Sequence, residues 1–299
     1  MIDYNNLPNT DNSVAIFYAA GSTTWQTWQK PKGCKFVYML VIGGGAGGGG
    51  GQSGTGVART GGGGGGASGM NKGMFMANTI PDILYINVGS GGAGGAPNTN
   101  GSAGSISYVS VLPNTTTINL LLVSNSSNPS AGAAAGTIGS TGGAVTATNN
   151  ILCNSGVFLF GAGQNGTSGG ANTGGNGTAL APTSPVSGGA GGGGSSAANV
   201  NGAGGPVNTG GVFPTLPGGA AGGTNRGTDG FTGSFPNKSN ILRNAFIFTG
   251  GSGGGANGAG VGGDGGNGAF GCGGGGGGAG TTGGSGGRGG DGLVIIISW

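Results

Sequence analysis

Apolar residues come in short, isolated runs: "VAIFYAA" at 14–20, "FVYMLVI" at 36–42, "ILYINV" at 83–88, "INLLLV" at 118–123, "VFLF" at 157–160, "AFIF" at 245–248 and "LVIII" at 293–297. They are too short, and too rich in β-branched and aromatic residues, for helices, and they predict strands. In "ILYINV" the alternation places Leu84, Ile86 and Val88 on a core face with Tyr85 and Asn87 opposite. "FVYMLVI" and "LVIII" are continuous, as expected of strands covered on both faces. Helical periodicity is almost absent. The final "GLVIIISW" reads as a strand that buries Trp299.

Most of these runs lead into or out of glycine tracts, and 86 of the 299 residues are Gly. Ordering a Gly costs about 0.5–1 kcal/mol more than ordering Ala, and no side chain offsets it. What remains is the main chain, whose N–H and C=O must be paired when buried. Collagen is excluded, because there are 12 Pro and no long strict triplet. The alternative is a bundle of polyglycine II helices, extended and three residues per turn, whose peptide groups point sideways to neighbouring helices. That geometry predicts rows of side chains spaced by three. Such rows occur at Val261, Asp264, Asn267 and Phe270, at Thr282, Ser285, Arg288 and Asp291, and at Ser90, Ala93 and Ala96. The expected fold is all-β and irregular: a short-strand β-sandwich merged with a polyglycine II bundle, with essentially no α-helix. Residues 1–21 form an N-terminal arm with the first strand, and residues 22–299 form the glycine-rich domain, with the arm as part of the same unit left open.

Composition narrows the chemistry. Glu and His are absent and charged residues make up 5% of the chain, which removes the side chain best suited to proton transfer near neutral pH. The expectation is no enzyme, no cofactor and no metal. Gly43, Gly45 and Gly48 follow a strand in Gly-x-Gly-x-x-Gly spacing, but the glycines beyond them forbid the helix that a dinucleotide needs, and the first later Asp is Asp82. Lys30, Lys32 and Lys35 read as a solvated strand end, too sparse a cluster for nucleic acid. The Arg-Gly-Gly at Arg288 is likewise insufficient. Cys34, Cys153 and Cys272 show no metal-ligand spacing and read as buried free thiols, with any pairing between them left open. No run reaches the ~18 residues of a membrane span, so no membrane insertion is expected. The first 21 residues lack the pattern of a signal peptide.

"TWQTWQKPKGCKFVYMLVIGGGAGGGGG", "GGGGGGASGMNKGMFMANTIPDILYINVGSGGAGGAPNTNGSAGSISY" and the closing "GGGGGGAGTTGGSGGRGGDGLVIIISW" together resemble the glycine-rich domain of phage tail-fibre and other virion proteins. The likeness rests on Trp28, Pro31 and Gly33 before the "VIGGG" strand, and on the closing "DGLVII" strand. Trp25, Trp28, Pro31, Gly33 and Trp299 are expected to be structural. The resemblance implies a virion location with assembly in the host cytoplasm, a fibre or tail adhesin, and other virion proteins as partners. A homotrimer would suit a fibre, and an adhesin would contact host-surface carbohydrate or protein. Aromatic loops at Phe213, Phe231 and Phe235 are the candidate ligand contacts, although the same rings could plug the ends of the bundle. A capsid decoration or cement subunit is the alternative. An ice-binding protein, which would use a flat Ala/Ser/Thr face such as Ser90, Ala93 and Ala96, ranks third.

Overall fold

The computed structural model describes residues 14–21, 23–124, 157–161, 163–208, 214–230 and 248–299; Cys153 lies outside them. Within that set the strands are β1 Val14–Tyr18, β2 Gln26–Gln29, β3 Phe36–Ile42, β4 Met70–Met76, β5 Ile83–Asn87, β6 Tyr108–Ser110, β7 Leu120–Val123, β8 Val157–Gly161, β9 Asn257–Val261, β10 Gly280–Thr282 and β11 Leu293–Ser298. Helix is limited to two single 3₁₀ turns, Ala77–Thr79 and Thr117–Asn119. The fold is all-β and irregular, as the sequence predicts.

A five-stranded antiparallel sheet, ordered β1-β11-β3-β4-β8, faces a four-stranded antiparallel sheet, ordered β2-β5-β6-β7. The continuous apolar strands are covered on both faces. Val37, Met39, Val41, Val294 and Ile296 point into the sandwich against Trp28, Leu84, Ile86 and Leu122. Leu40, Ile42, Leu293, Ile295 and Ile297 point the other way, against Val186, Phe248, Ala269 and Cys272. Leu84, Ile86 and Val88 are buried, in the alternation expected of β5. The structure adds strands that propensity does not reveal. In β4, "MNKGMFM", Lys72 and Gly73 interrupt the apolar pattern, yet β3 and β8 hold the strand from both sides.

Beyond the sandwich the strands continue as glycine tracts. β3 runs into 43–52, the chain turns, and 60–68 returns into β4. β5 runs into 89–96, and 99–105 returns into β6. Each tract is a helix without internal hydrogen bonds, so its peptides serve its neighbours. Tract 272–280 has six of them. Its N–H groups donate to 187–193 through Gly273, Gly276 and Ala279, to 46–52 through Gly274, Gly277 and Gly280, and to 263–266 through Gly275 and Gly278. Its carbonyls accept from 62–65, 251–257 and 284–290, again three residues apart. This is hexagonal packing of three-fold helices, and tracts 187–195 and 249–257 are enclosed in the same way. Almost every bond is 2.6–3.1 Å long, so this core is joined by amide pairing.

The predicted rows face outward except at Phe270, which is half-buried against the core, its ring 6.0 Å from those of Tyr18 and Phe248. Val261, Asp264 and Asn267 are exposed while the Gly pairs between them are buried, and Thr282, Arg288, Ala93 and Ala96 are exposed likewise. Inside the bundle most glycine positions leave no room for a side chain, while a methyl is accommodated at buried Ala46, Ala190, Ala256 and Ala279. A Cβ at Gly273, Gly274, Gly275, Gly277 or Gly278 would stand 1.9–2.1 Å from a carbonyl oxygen of another tract. The hydrogen in that place makes a Cα–H···O contact. Among the described glycines, positive φ is confined to six turn positions: Gly21, Gly33, Gly56, Gly174, Gly222 and Gly271.

Cys272 sits at the foot of this lattice, fully buried, and burial pushes its thiol well above the ordinary range. Because the thiolate is the reactive form, thiol reagents at pH 8 should modify half-buried Cys34 and leave Cys272 untouched until the protein unfolds. Mass spectrometry of peptides after a timed maleimide pulse would show it; early labelling of Cys272 would mean that the lattice opens locally.

Candidate functional site

The tracts run between two ends. One is the sandwich. At the other, the turns 53–58, 97–99, 172–174, 196–200 and 221–224 meet the β9 and β10 segments. Among the described residues, charge at this end is Arg226 and Asp229 below the 221–224 turn, exposed Asp264 beside Gly227, and Arg59, which is fully buried. Its Nη1 donates to the Gly54 and Gly258 carbonyls, and its Nη2 to Gly258 O and Asn199 Oδ1, both at 3.1 Å. No carboxylate is among its partners, and Nε has none. One guanidinium therefore clasps three loops that are far apart in sequence.

Short polar side chains complete the clasp. Asn201 Oδ1 accepts from Gly258 N–H at 2.6 Å and Ser195 Oγ at 3.0 Å. Asn98 Oδ1 accepts from Ser53 N–H at 2.8 Å, and Ser53 Oγ from Gly283 N–H at 2.9 Å. Asn98 and Asn199 stand at φ +64 and +58, a left-handed conformation in which Asn is enriched, and both spend their Oδ1 on the clasp. Outside this knot, Val57, Val200 and Val261 are exposed by 49%, 58% and 48%. A fixed surface with little charge and three unburied valines is suited to contact with another molecule.

Phe213, Phe231 and Phe235 lie outside the described residues. The described residues that flank them belong to the sandwich end: Val207 pairs with Leu216, and Phe248 packs beneath the five-stranded sheet. Trp28 is in the sandwich core. Pro31 O accepts from Cys34 N–H, and Gly33 at φ +81 holds the turn position that needs positive φ. Trp299 is half-buried, not enclosed. Its backbone pairs with Lys35 and Phe36, and its ring lies 6.0 Å from that of Phe36. Gly45 and Gly48 spend their N–H groups on Gly290 and Gly287, so a phosphate would find them engaged. Lys30 is a correction to the solvated strand end: its ammonium is half-buried, caps the Ala77 and Ile80 carbonyls at 2.8 and 2.9 Å, and pairs with Asp82.

Trp25 is half-buried on the outer face of the four-stranded sheet, 6.3 Å from Tyr108 with the rings inclined at 37°. With Thr23, Asn87, Asn114 and Thr115 these rings line an open cleft of ≈ 320 Å³. Asn87 and Tyr108 are register partners across β5 and β6. Burial raises the Tyr108 phenol, which keeps it a neutral donor. Sequence reasoning placed Asn87 on this face but missed the cleft, because it forms across strands.

Among the described residues no group of His, Cys, Asp or Glu could hold a metal, and no helix is long and apolar enough to cross a membrane. A family model described as a glycine-rich domain matches residues 20–299. No curated protein matches the chain.

Proposed function

Starting from a chain that belongs to the glycine-rich domain family, we propose that it is a non-catalytic display scaffold, a virion fibre or tail adhesin whose contact surface is the turn end of the polyglycine bundle. The observation that carries this reading is the union of a hydrogen-bonded lattice with loops clasped around Arg59 and bearing exposed Val57, Val200 and Val261. A lattice joined by close main-chain contacts resists bending, and the clasp around Arg59 holds the loops in one arrangement. Preorganisation of this kind lowers the entropy lost on binding. The shortage of charge suits a neutral partner, so contact should depend little on salt.

A capsid decoration or cement subunit is the second reading, favoured by the outward rows along the bundle, which set Asp264, Arg288 and Asp291 among Asn, Ser, Thr and Ala and suit broad lateral contacts. Electron microscopy of particles labelled through an antibody to the chain separates the two. A projecting position with the turn end outermost supports the adhesin, and a position in the capsid lattice supports cement. Absence from particles defeats both. For the adhesin, a protein carrying Val57→Ser, Val200→Ser and Val261→Ser should fold normally and lose binding to host cells; unchanged binding would move the contact surface elsewhere.

A further inference from the structure

We propose that the Trp25–Tyr108 cleft on the outer face of the four-stranded sheet is a binding site for a neutral pyranose sugar. Its six lining residues, Thr23, Trp25, Asn87, Tyr108, Asn114 and Thr115, include no charge. That excludes the cations a phosphate or nucleic acid strand requires. The volume of ≈ 320 Å³ lies at the small end of ligand sites, which run from about 300 to 1,000 Å³. The two rings, 6.3 Å apart and inclined at 37°, form a shallow trough, not a stack closed on itself. A pyranose offers what such a trough needs. One face is a patch of C–H bonds to lie on an aromatic surface, and the rim is hydroxyl groups that both donate and accept.

The polar groups are in keeping with this. Trp25 Nε1, the Tyr108 hydroxyl and the hydroxyls of Thr23 and Thr115 make no hydrogen bond within the described residues. None of these atoms is a buried unpaired group, so each faces the open cleft and is free to bond a ligand. Asn114 Oδ1 is occupied by Thr116 N–H at 3.1 Å and Asn119 Nδ2 at 2.9 Å, which fixes the amide and leaves its own Nδ2 hydrogens for a ligand. Asn87 Nδ2 donates to Thr24 O at 3.2 Å, which ties the loop bearing Thr23 and Trp25 to the sheet. An uncharged aromatic trough rimmed by hydroxyl and amide groups is complementary to a polyol ring. A peptide would instead call for a free strand edge or a deep apolar pocket.

The site lies on the sandwich, away from the turn end, and rests on its own geometry. Failure here leaves the scaffold reading intact, and failure of the valine test leaves this site intact. The experiment is a titration of ¹⁵N-labelled full-length protein with the methyl pyranosides of glucose, galactose, mannose and N-acetylglucosamine, and with their disaccharides, followed by amide and indole shifts. One or more sugars should shift the Trp25 indole and the Asn114 side-chain amide in a saturable way, with a disaccharide binding more tightly than a single ring. Trp25→Ala should weaken binding by about tenfold or more, whereas Trp25→Phe, which keeps a ring, should stay within about threefold. Should Trp25→Ala fail to fold, the wild-type shift map decides: shifts centred on the six lining residues support the site, and shifts elsewhere overturn it. No saturable shift with any of these sugars up to tens of millimolar, or binding unchanged in folded Trp25→Ala, would also overturn it.

Discussion

Replacing Gly276 by alanine should destabilise the protein by about 3 kcal/mol or more, although a Gly→Ala change ordinarily stabilises by about 0.4–1 kcal/mol where the backbone allows it. The sign reverses because of the lattice. A Cβ on Gly276 would sit 2.0 Å from Gly62 O and 2.6 Å from Gly62 C, both main-chain atoms, with Gly192 N at 2.9 Å. No rotamer relieves that contact, so a tract must move by about an ångström to restore ordinary van der Waals separation. Moving it strains four bonds together: Gly62 N–H to Gly277 O, Gly192 N–H to Gly62 O, Gly276 N–H to Ala190 O and Gly254 N–H to Gly276 O, all 2.8–2.9 Å. Each buried amide left unpaired costs about 1–3 kcal/mol. Ala93→Ser, on an outward row, should stay within about 0.5 kcal/mol. Denaturant unfolding of both variants is the measurement, with amide exchange of the tract glycines as its companion. A neutral or stabilising Gly276→Ala, or exchange across 272–280 as fast as in a free peptide, would remove the interlocked lattice from this account.

Arg59→Met should destabilise by about 1–3 kcal/mol or more and loosen the turn end before the rest, because it leaves buried acceptors without a donor. Methionine fills much of the same volume, so the loss is mainly of hydrogen bonding. Gly54 O, Gly258 O and Asn199 Oδ1 would lose their donor in a site without solvent. Arg59→Lys keeps a charge but replaces the planar fork by a single ammonium, and it should fall between wild type and Arg59→Met. Hydrogen exchange by mass spectrometry should show protection lost first across 53–58 and 196–200, with the sandwich unchanged. Uniform loss over the whole chain, or no loss, would mean that Arg59 does not hold the loops.

Particular residues show what could be read directly and what could not. The outward rows were legible because a three-residue turn forces side chains onto every third position, as at Asp264 and Asn267 or Ala93 and Ala96. The doubly covered strands were legible because β3 and β11 are apolar on both alternating sets. β4 was not legible, since Lys72 and Gly73 break its pattern and the partners supply the pairing. Burial lowers the Lys72 ammonium pKa, a sign of how far packing overrode preference there. β9 and β10, "NGAGV" and "GTT", have little strand propensity and owe their pairing to their place at the turn end. Arg59 carried one unused signal: it is the single charged residue between Lys35 and Lys72.

By itself, then, the sequence determined the conformation of the tracts and the side of each that faces water, because both follow from local geometry and the missing Cβ. It did not determine which tract lies beside which. Bare glycine segments present the same donors and acceptors to every neighbour and encode no partner, so the choice fell to the strands and turns that anchor their ends. The tertiary structure alone brought Arg59 to Gly258, 199 positions away, and set Trp25 beside Tyr108. Both candidate surfaces arise from contacts between distant segments, which no local pattern records.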